Sequence, residues 1–253
     1  MDPETRKSMK PLGVKAYGHI PHLPGSRLGP GDHTCHEGQA RICTEKTRDR
    51  HDRIIVTEKL DGSCVAVANI DGVIVPLNRA GYRAAGAPHL QHRLFHVWVM
   101  ENQQRFLDAV EPGHRLAGEW LALAHGTRYD LDGREPWVAF DYIGPDGRLP
   151  HDVARAAAVR GALAVPHVLF DGPPVSIEDV REAIQVSHYG ALDPVEGAVW
   201  RVERRGQFDY VAKWVRPDKV DGSYLPEISG KEAVWNWWPS GLRPQDLEGN
   251  PPA

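Results

Sequence analysis

The sequence predicts an α+β domain built on largely antiparallel sheets, and three observations carry that prediction. Asp71-Gly72, a two-residue turn signal, separates the alternating run Ser63–Ile70 from a second apolar run, Val73–Leu77, which is the pattern of a β-hairpin. Two further apolar runs, Val195–Val202 and Phe208–Val215, flank Arg204-Arg205-Gly206 in the same way. Between these hairpins, strand-like and helix-like segments follow one another without the β-α-β cadence of a parallel sheet.

Taken in order, roughly the first fifty residues are rich in Gly, Pro and His and then turn highly charged (RICTEKTRDRHDR), so they are expected to be irregular and surface-lying. Ile54-Ile55-Val56 opens the first strand. From Leu90 to Val110, the residues Leu94, Trp98, Phe106 and Val110 fall near helical spacing, and the run stops before Pro112-Gly113. Strands are expected at Arg115–Leu123 and Trp137–Ile143. Ser176 with Asp179 three residues on marks the start of a short helix that ends by Gly190. The tail after Pro226 carries Trp235, Trp237 and Trp238, expected to pack back on the domain, and the last dozen residues are expected to fray. This divides the chain into one domain over 1–228 and a short tail over 229–253.

The 253 residues suffice for a real hydrophobic core, with 41% hydrophobic and 25% charged residues. No apolar run approaches the roughly 20 residues of a membrane span. The opening MDPETRKSMK has no apolar core of a leader, and Cys35, Cys43 and Cys64 form no disulfide framework. A reduced, cytoplasmic protein is expected, with no membrane association. A net charge of -4 exerts no global pull on nucleic acid. Any such grip must be local, from the Arg201–Lys219 stretch with Arg204, Arg205, Lys213 and Arg216, or from Arg27, Arg41 and Arg48. His33, Cys35, His36 and Cys43 lack the spacing of a zinc knuckle. The absence of a Gly-x-x-x-x-Gly-Lys loop excludes a P-loop NTPase.

The sharpest local feature is Glu58-Lys59-Leu60-Asp61-Gly62-Ser63, where a lysine leaves an apolar strand just as the chain turns. Partial desolvation and neighbouring cations are expected to lower its pKa and free the amine for attack. Gly62 lets backbone approach a phosphate. Lys-x-Asp-Gly alone is weak evidence, and it occurs twice, since Lys219-Val220-Asp221-Gly222 matches as well. The first copy is followed by the strand SCVAVANI and the second by the turn-like YLPEISG, which favours Lys59 as nucleophile.

Lys59-Leu60-Asp61-Gly62 resembles the nucleotidyl-lysine motif of the covalent nucleotidyltransferases: ATP-dependent RNA and DNA ligases and mRNA capping enzymes. Their further motifs follow in order. Arg79, in NRAGYR, resembles the phosphate-binding arginine, and Glu119, in AGEW, the glutamate that contacts the ribose. Phe140, in WVAFDYI, resembles the aromatic residue that stacks on adenine. Glu196, in Glu196-Gly197-Ala198-Val199, resembles the glutamate that serves metal and lysine, and Lys213 the phosphate-binding lysine of the final strand. Glu58 is either an adenine-selecting residue or a solvated strand end.

The resemblance is nearest to ATP-dependent RNA ligases of the RNA ligase 2 type. It implies a nucleotide pocket between antiparallel sheets, ATP as substrate, Mg²⁺ or Mn²⁺, and a lysyl-AMP intermediate. AMP passes to an RNA 5′-phosphate and is displaced by a 3′-hydroxyl, on ends that include those of a nicked duplex. Cys64 stands where many relatives have Asn, and Val215 stands where a second lysine often follows Lys213, with Arg216 as its substitute. The short tail leaves no room for an oligonucleotide-binding fold, so a partner protein is a candidate source of extra nucleic-acid grip. The rival expectations are a minimal DNA ligase and a nucleotide- or RNA-binding module that no longer seals.

Overall fold

The computed structural model describes residues 10–247. The charged opening, MDPETRKSM, and residues 248–253 lie outside them, and with them half of the dozen expected to fray. Two antiparallel sheets form the frame. One has the order β7-β1-β8-β9, from Val168–Gly172, Asp52–Lys59, Gly197–Arg204 and Gln207–Val215. The other has the order β3-β2-β4-β5-β6, from Val73–Asn78, Ser63–Ile70, Arg115–Trp120, Trp137–Gly144 and Gly147–Arg148. The helices are α1 (Glu37–Thr44), α2 (Leu90–Glu101), α3 (Gln103–Ala109), α4 (His151–Arg160), α5 (Ile177–Ala183) and α6 (Pro226–Ser229), with a 3₁₀ turn at Pro244–Leu247.

Both expected hairpins form, on two-residue turns. Asp71 and Gly72 have φ of 51° and 86°, and Arg205 and Gly206 have 52° and 72°. Two successive positive φ values are what a type I′ turn demands, and that turn matches the twist of the strands it joins. In the first sheet, alternate residues divide between two faces. Ile54, Val56, Ala198, Trp200, Val202, Ala212 and Trp214 bury against α1 and α5 in one core. Ile55, Thr57 and Lys59 on β1, Val199 and Arg201 on β8, and Val211 and Lys213 on β9 face the cleft between the sheets. The second sheet packs its outer face on α2 and α3 in a core where Phe95, Trp98, Phe106, Trp120 and Trp137 meet at ring distances of 5.3–6.3 Å.

Several expectations give way. The helix from Leu90 to Val110 is two helices, broken at Asn102, whose side-chain Nδ2 donates to Trp98 O at 2.8 Å and caps the first. The short helix capped by Ser176 forms as expected, the Asp179 N–H donating to Ser176 Oγ, and it stops at Ala183, before Gly190. The opening region is not merely irregular. It contains α1, buries Tyr17, Leu23 and Cys43, and runs along β9, where the Lys213 N–H donates to Pro21 O and the Leu23 N–H to Lys213 O. A Gly- and Pro-rich composition conceals this, because the segment covers the open edge of a sheet rather than forming a strand of its own. Trp235, Trp237 and Trp238 do pack on the core, and Asn236 holds Leu121 and Ala122. Leu247 is buried too, so the tail does not fray as far as that residue.

Candidate active site

The Lys-Leu-Asp-Gly turn joins the two sheets. Lys59 is the last residue of β1 and Ser63 the first of β2, so Leu60, Asp61 and Gly62 cross from one layer to the other. A cleft of about 610 Å³ opens above this crossing, lined among others by Lys59, Arg79, Glu119, Phe140, Glu196 and Lys213. The six motif residues named from sequence therefore share one cavity. Two glycines make the geometry possible. A Cβ on Gly62 would lie 2.3 Å from Trp120 O, and one on Gly197 would lie 1.9 Å from Trp214 O. Both contacts are with backbone, so no side chain fits at either position.

Lys59 Nζ lies 2.5 Å from Glu196 Oε2. Lys59 pairs with Gly197 in the β1–β8 ladder, which brings the preceding glutamate beside it. The expectation of a lowered lysine pKa is overturned. Burial does disfavour its charge, but Glu196, then Glu119 and Asp61, outweigh burial and raise the pKa. The carboxylates bear the reciprocal cost. Burial pushes Glu119 up to about 7 against the attraction of Lys59. It raises Glu196 as well. One Glu119 oxygen, Oε1, accepts the Gly62 N–H at 3.0 Å and so clamps the turn to β4.

Asp61 turns away from the nucleophile. Its Oδ2 accepts the Gly126 N–H at 2.9 Å and an ion pair from Lys219, the lysine of the second Lys-x-Asp-Gly copy. Lys219 is 2% exposed and also donates to Thr127 Oγ1 at 3.1 Å. Lys219 is therefore not a rival of Lys59, as its tetrad suggests, but the partner of the first motif's aspartate. Arg216, the substitute for the second lysine of the last motif, pairs with Asp218 at 2.6 Å.

Phe140 is aimed by a β-bulge. Ala117 pairs with Asp141 and Gly118 with Ala139, which leaves Phe140 as the extra residue of β5. Alone on that strand it is only partly buried, with its ring edge-on to Tyr17 at 5.1 Å between centroids. Beside it, Asp141 accepts from the Tyr17 hydroxyl at 2.6 Å, from Arg201 at 2.5 Å and from Arg148 at 3.0 Å. Glu58 is no solvated strand end. It is 3% exposed, and its carboxylate accepts from the Ser187 hydroxyl at 2.6 Å and the His188 N–H at 2.8 Å. Lys213 has Asp32 at 3.7 Å, and burial, then Lys59, lower its pKa. Arg79 is exposed at the rim, with Nη2 donating to Gly18 O at 3.0 Å. Cys64 also lines the cleft, and burial, then Glu119, raise its thiol pKa well above the usual range.

Several of the cations that the sequence offers for a nucleic-acid grip have partners within the fold. Arg201 is buried on Asp141 and Glu203, Arg204 pairs with Asp49 and Asp52, and Lys219 with Asp61. Arg27 pairs with Asp221, Arg41 with Glu45, and Arg48 with Asp52 and Asp209. Most of these cations are therefore neutralised within the fold. Among the described residues, no helix is long and apolar enough to cross a membrane.

Two antiparallel sheets thus flank a cleft with a lysine–glutamate pair at its base. The RNA ligase family model matches residues 52–215, and the chain belongs to that family. No curated protein matches the chain. Among solved structures it is similar to an archaeal ATP-dependent RNA ligase, at 17% identity and a TM-score of 0.45 over 79% of this chain and 48% of that one. A Naegleria gruberi RNA ligase variant solved with ATP and Mn gives 16%, 0.47, 77% and 59% for the same quantities. A putative ATP-dependent DNA ligase from Aquifex aeolicus gives 15%, 0.47, 79% and 49%. The chain thus spans about half the length of these structures.

Proposed function

We propose that this chain is an ATP-dependent RNA ligase that adenylates itself on Lys59 and joins RNA 5′-phosphate and 3′-hydroxyl ends, an RNA-repair chemistry. The observation that carries the reading is the buried Lys59–Glu196 contact at the floor of a cleft that also gathers Arg79, Glu119, Phe140 and Lys213. Lys59, an ammonium in this ion pair, must give up a proton before Nζ attacks the α-phosphorus of ATP, and the N–P bond then forms as the bond to pyrophosphate breaks. Glu196 Oε2 is the nearest acceptor, and burial has already raised its affinity for a proton. Phe140 stacks on the adenine, Glu119 holds the ribose, and Arg79 and Lys213 bind phosphate oxygens. The peptide of Glu58 borders the base, while its carboxylate supports the wall through Ser187 and His188.

A divalent cation, Mg²⁺ or Mn²⁺, neutralises phosphate charge when bound, and Glu196 is the residue to hold it. The donor set fits such a cation. The Glu196 carboxylate is buried beside one lysine, and a hard cation in phosphoryl transfer takes most of its ligands from phosphates and water. We assign residues 1–228 to the adenylation domain, with 229–253 as a short tail, and place the protein in the reducing cytoplasm.

Incubation with α-labelled ATP and Mg²⁺ or Mn²⁺, followed by denaturing electrophoresis and peptide mapping, tests the reading. Label is expected on Lys59. Its absence with both metals indicates a non-sealing binding module, and faster sealing of nicked DNA than of RNA indicates a DNA ligase.

A further inference from the structure

Acidic residues are unevenly spread along this chain. It has 34 Asp and Glu, yet none falls between Lys10 and Gly31, and none between Gly72 and Met100. The fold brings parts of these two acid-free stretches together. The Tyr17 N–H donates to Arg79 O at 3.2 Å, and Arg79 Nη2 donates back to Gly18 O at 3.0 Å. Gly81 packs so tightly on the same segment that a Cβ there would lie 2.3 Å from Val14 O. Lys10 Nζ sits 4.7 Å from the centre of the Tyr82 ring, and Arg83 follows it, bridged to Leu77.

The result is a surface on which Lys15, His19, Arg79 and Arg83 are exposed and Lys10 is half-buried. Among the described residues none of Lys10, Lys15, Arg79 or Arg83 has a carboxylate within ion-pair distance. His19 reports the local charge. Arg79 foremost, then a small burial contribution and Lys15, hold its imidazole below the usual range against the opposing pull of Asp32. The surface leads inward, because Tyr17, Ile20, Arg79 and Lys213 all line the cleft that holds Lys59. Elsewhere cations and carboxylates are mixed. Around the Arg205-Gly206 turn, for instance, Arg50 and Arg205 lie beside Asp49, Asp52 and Asp209, which already pair with Arg48 and Arg204.

We propose that this cation-rich face, formed by Lys10, Lys15, His19, Arg79 and Arg83 at the cleft mouth, carries the phosphodiester backbone of an RNA strand as its end enters the site. Unpaired cations release counterions from a polyanion, whereas cations already paired in the fold release few. The identity of the strand rests on the RNA ligase reading, while the charge of the ligand rests on the face itself.

The test measures binding of a 5′-phosphorylated, 3′-labelled single-stranded RNA of about a dozen nucleotides by fluorescence anisotropy across a salt series. A DNA of the same sequence runs in parallel. The triple variant Lys10→Gln/Lys15→Gln/Arg83→Gln leaves the cleft residues in place. It is expected to bind RNA about tenfold or more weakly, with a log–log salt slope shallower by about 2, from roughly 0.7 per lost phosphate contact. A control with the same charge change, Lys46→Gln/Arg50→Gln/Arg205→Gln, is expected to change the slope little. Should the triple variant fold poorly, exposed Lys15→Gln alone is expected to lower the slope by about 0.7. An unchanged slope, an equal loss in the control, or no RNA binding by the parent protein overturns the proposal. Equal affinity for DNA overturns its assignment to RNA. Labelling with α-labelled ATP, run alongside, separates the two readings. Face-dependent RNA binding without self-labelling removes the ligase reading and leaves the face, whereas self-labelling without face dependence does the reverse.

Discussion

Lys59 and Lys219 sit in matching Lys-x-Asp-Gly tetrads, yet the fold uses them in opposite ways. Lys59 ends a strand at the junction of two sheets, faces a cleft and meets Glu196 at 2.5 Å. Lys219 lies in the turn after β9, is nearly sealed from solvent, and spends its charge on the aspartate of the other copy. The glycines differ as well. Gly62 is required by the carbonyl of Trp120, whereas Gly222 has φ of +66° and a Cβ there would strike only the Ile228 side chain. Four residues therefore define a site only when strands deliver carboxylates to the lysine and backbone to the glycine. The second copy receives one carboxylate, from a turn rather than a strand, and its glycine meets a side chain.

The largest effect expected from this contrast is on covalent chemistry. Lys59→Ala is expected to abolish lysyl-AMP formation, whereas Lys219→Ala slows it and leaves the label on Lys59, as peptide mass mapping would show. Label found on Lys219 would reverse the comparison.

Next in size is the Asp61–Lys219 pair. Replacing Lys219 with Met strands a buried carboxylate that retains one backbone donor, Gly126 N–H, and the loss of one partner of a buried pair costs about 3–5 kcal/mol. Denaturant unfolding of Lys219→Met, Asp61→Asn and the double variant measures this. The double variant is expected to be clearly more stable than the sum of the singles implies. Simple additivity would mean that the pair has no energetic weight.

Glu119 sharpens the contrast through pH. Its carboxyl is raised from 4.5 to about 7, chiefly by burial. Between those values the unfolded chain has lost its proton and the folded chain keeps it, so stability falls as pH rises through that window. The total change is up to about 3 kcal/mol. In Glu119→Gln that fall should disappear from unfolding midpoints measured from pH 4.5 to 7.5, and an unchanged pH profile would place the titrating group elsewhere.

Much of the frame was legible because its signals are local. Asp71-Gly72 and Arg205-Gly206 need positive φ at both turn positions, and the flanking apolar runs leave one register open to each hairpin. The collinear motif residues were legible too, since they come from strands that the hairpins fix. What escaped depends on contacts distant in sequence. The protonated state of Lys59 follows from carboxylates that β4 and β8 bring to it, and no neighbour in sequence announces them. Leu23 and Asp32 lie in a Gly- and Pro-rich stretch whose role is to cover β9 and approach Lys213. The charges of Arg201–Lys219 suggested a basic surface, but their partners Asp49, Asp61 and Asp141 arrive from elsewhere in the chain.

The smallest effect expected is at Phe140, and it asks whether the cleft above the first tetrad is a nucleotide site or only a gap between sheets. The alternation of β5 would have placed an aromatic residue here in one core or the other, and the bulge is what frees its face. A stacked base gains about 0.5–1.5 kcal/mol from such a ring beyond buried area. Phe140→Ala is therefore expected to weaken ATP binding up to about tenfold, while Phe140→Trp and Phe140→Tyr largely preserve it. Phe140→Leu separates the roles, because leucine fills the space beside Tyr17 but offers no aromatic face. If calorimetry finds that Phe140→Leu binds ATP as tightly as the parent, the ring serves only to pack against Tyr17. If Phe140→Leu loses affinity while keeping its melting temperature, the bulge exists to present a base-stacking surface.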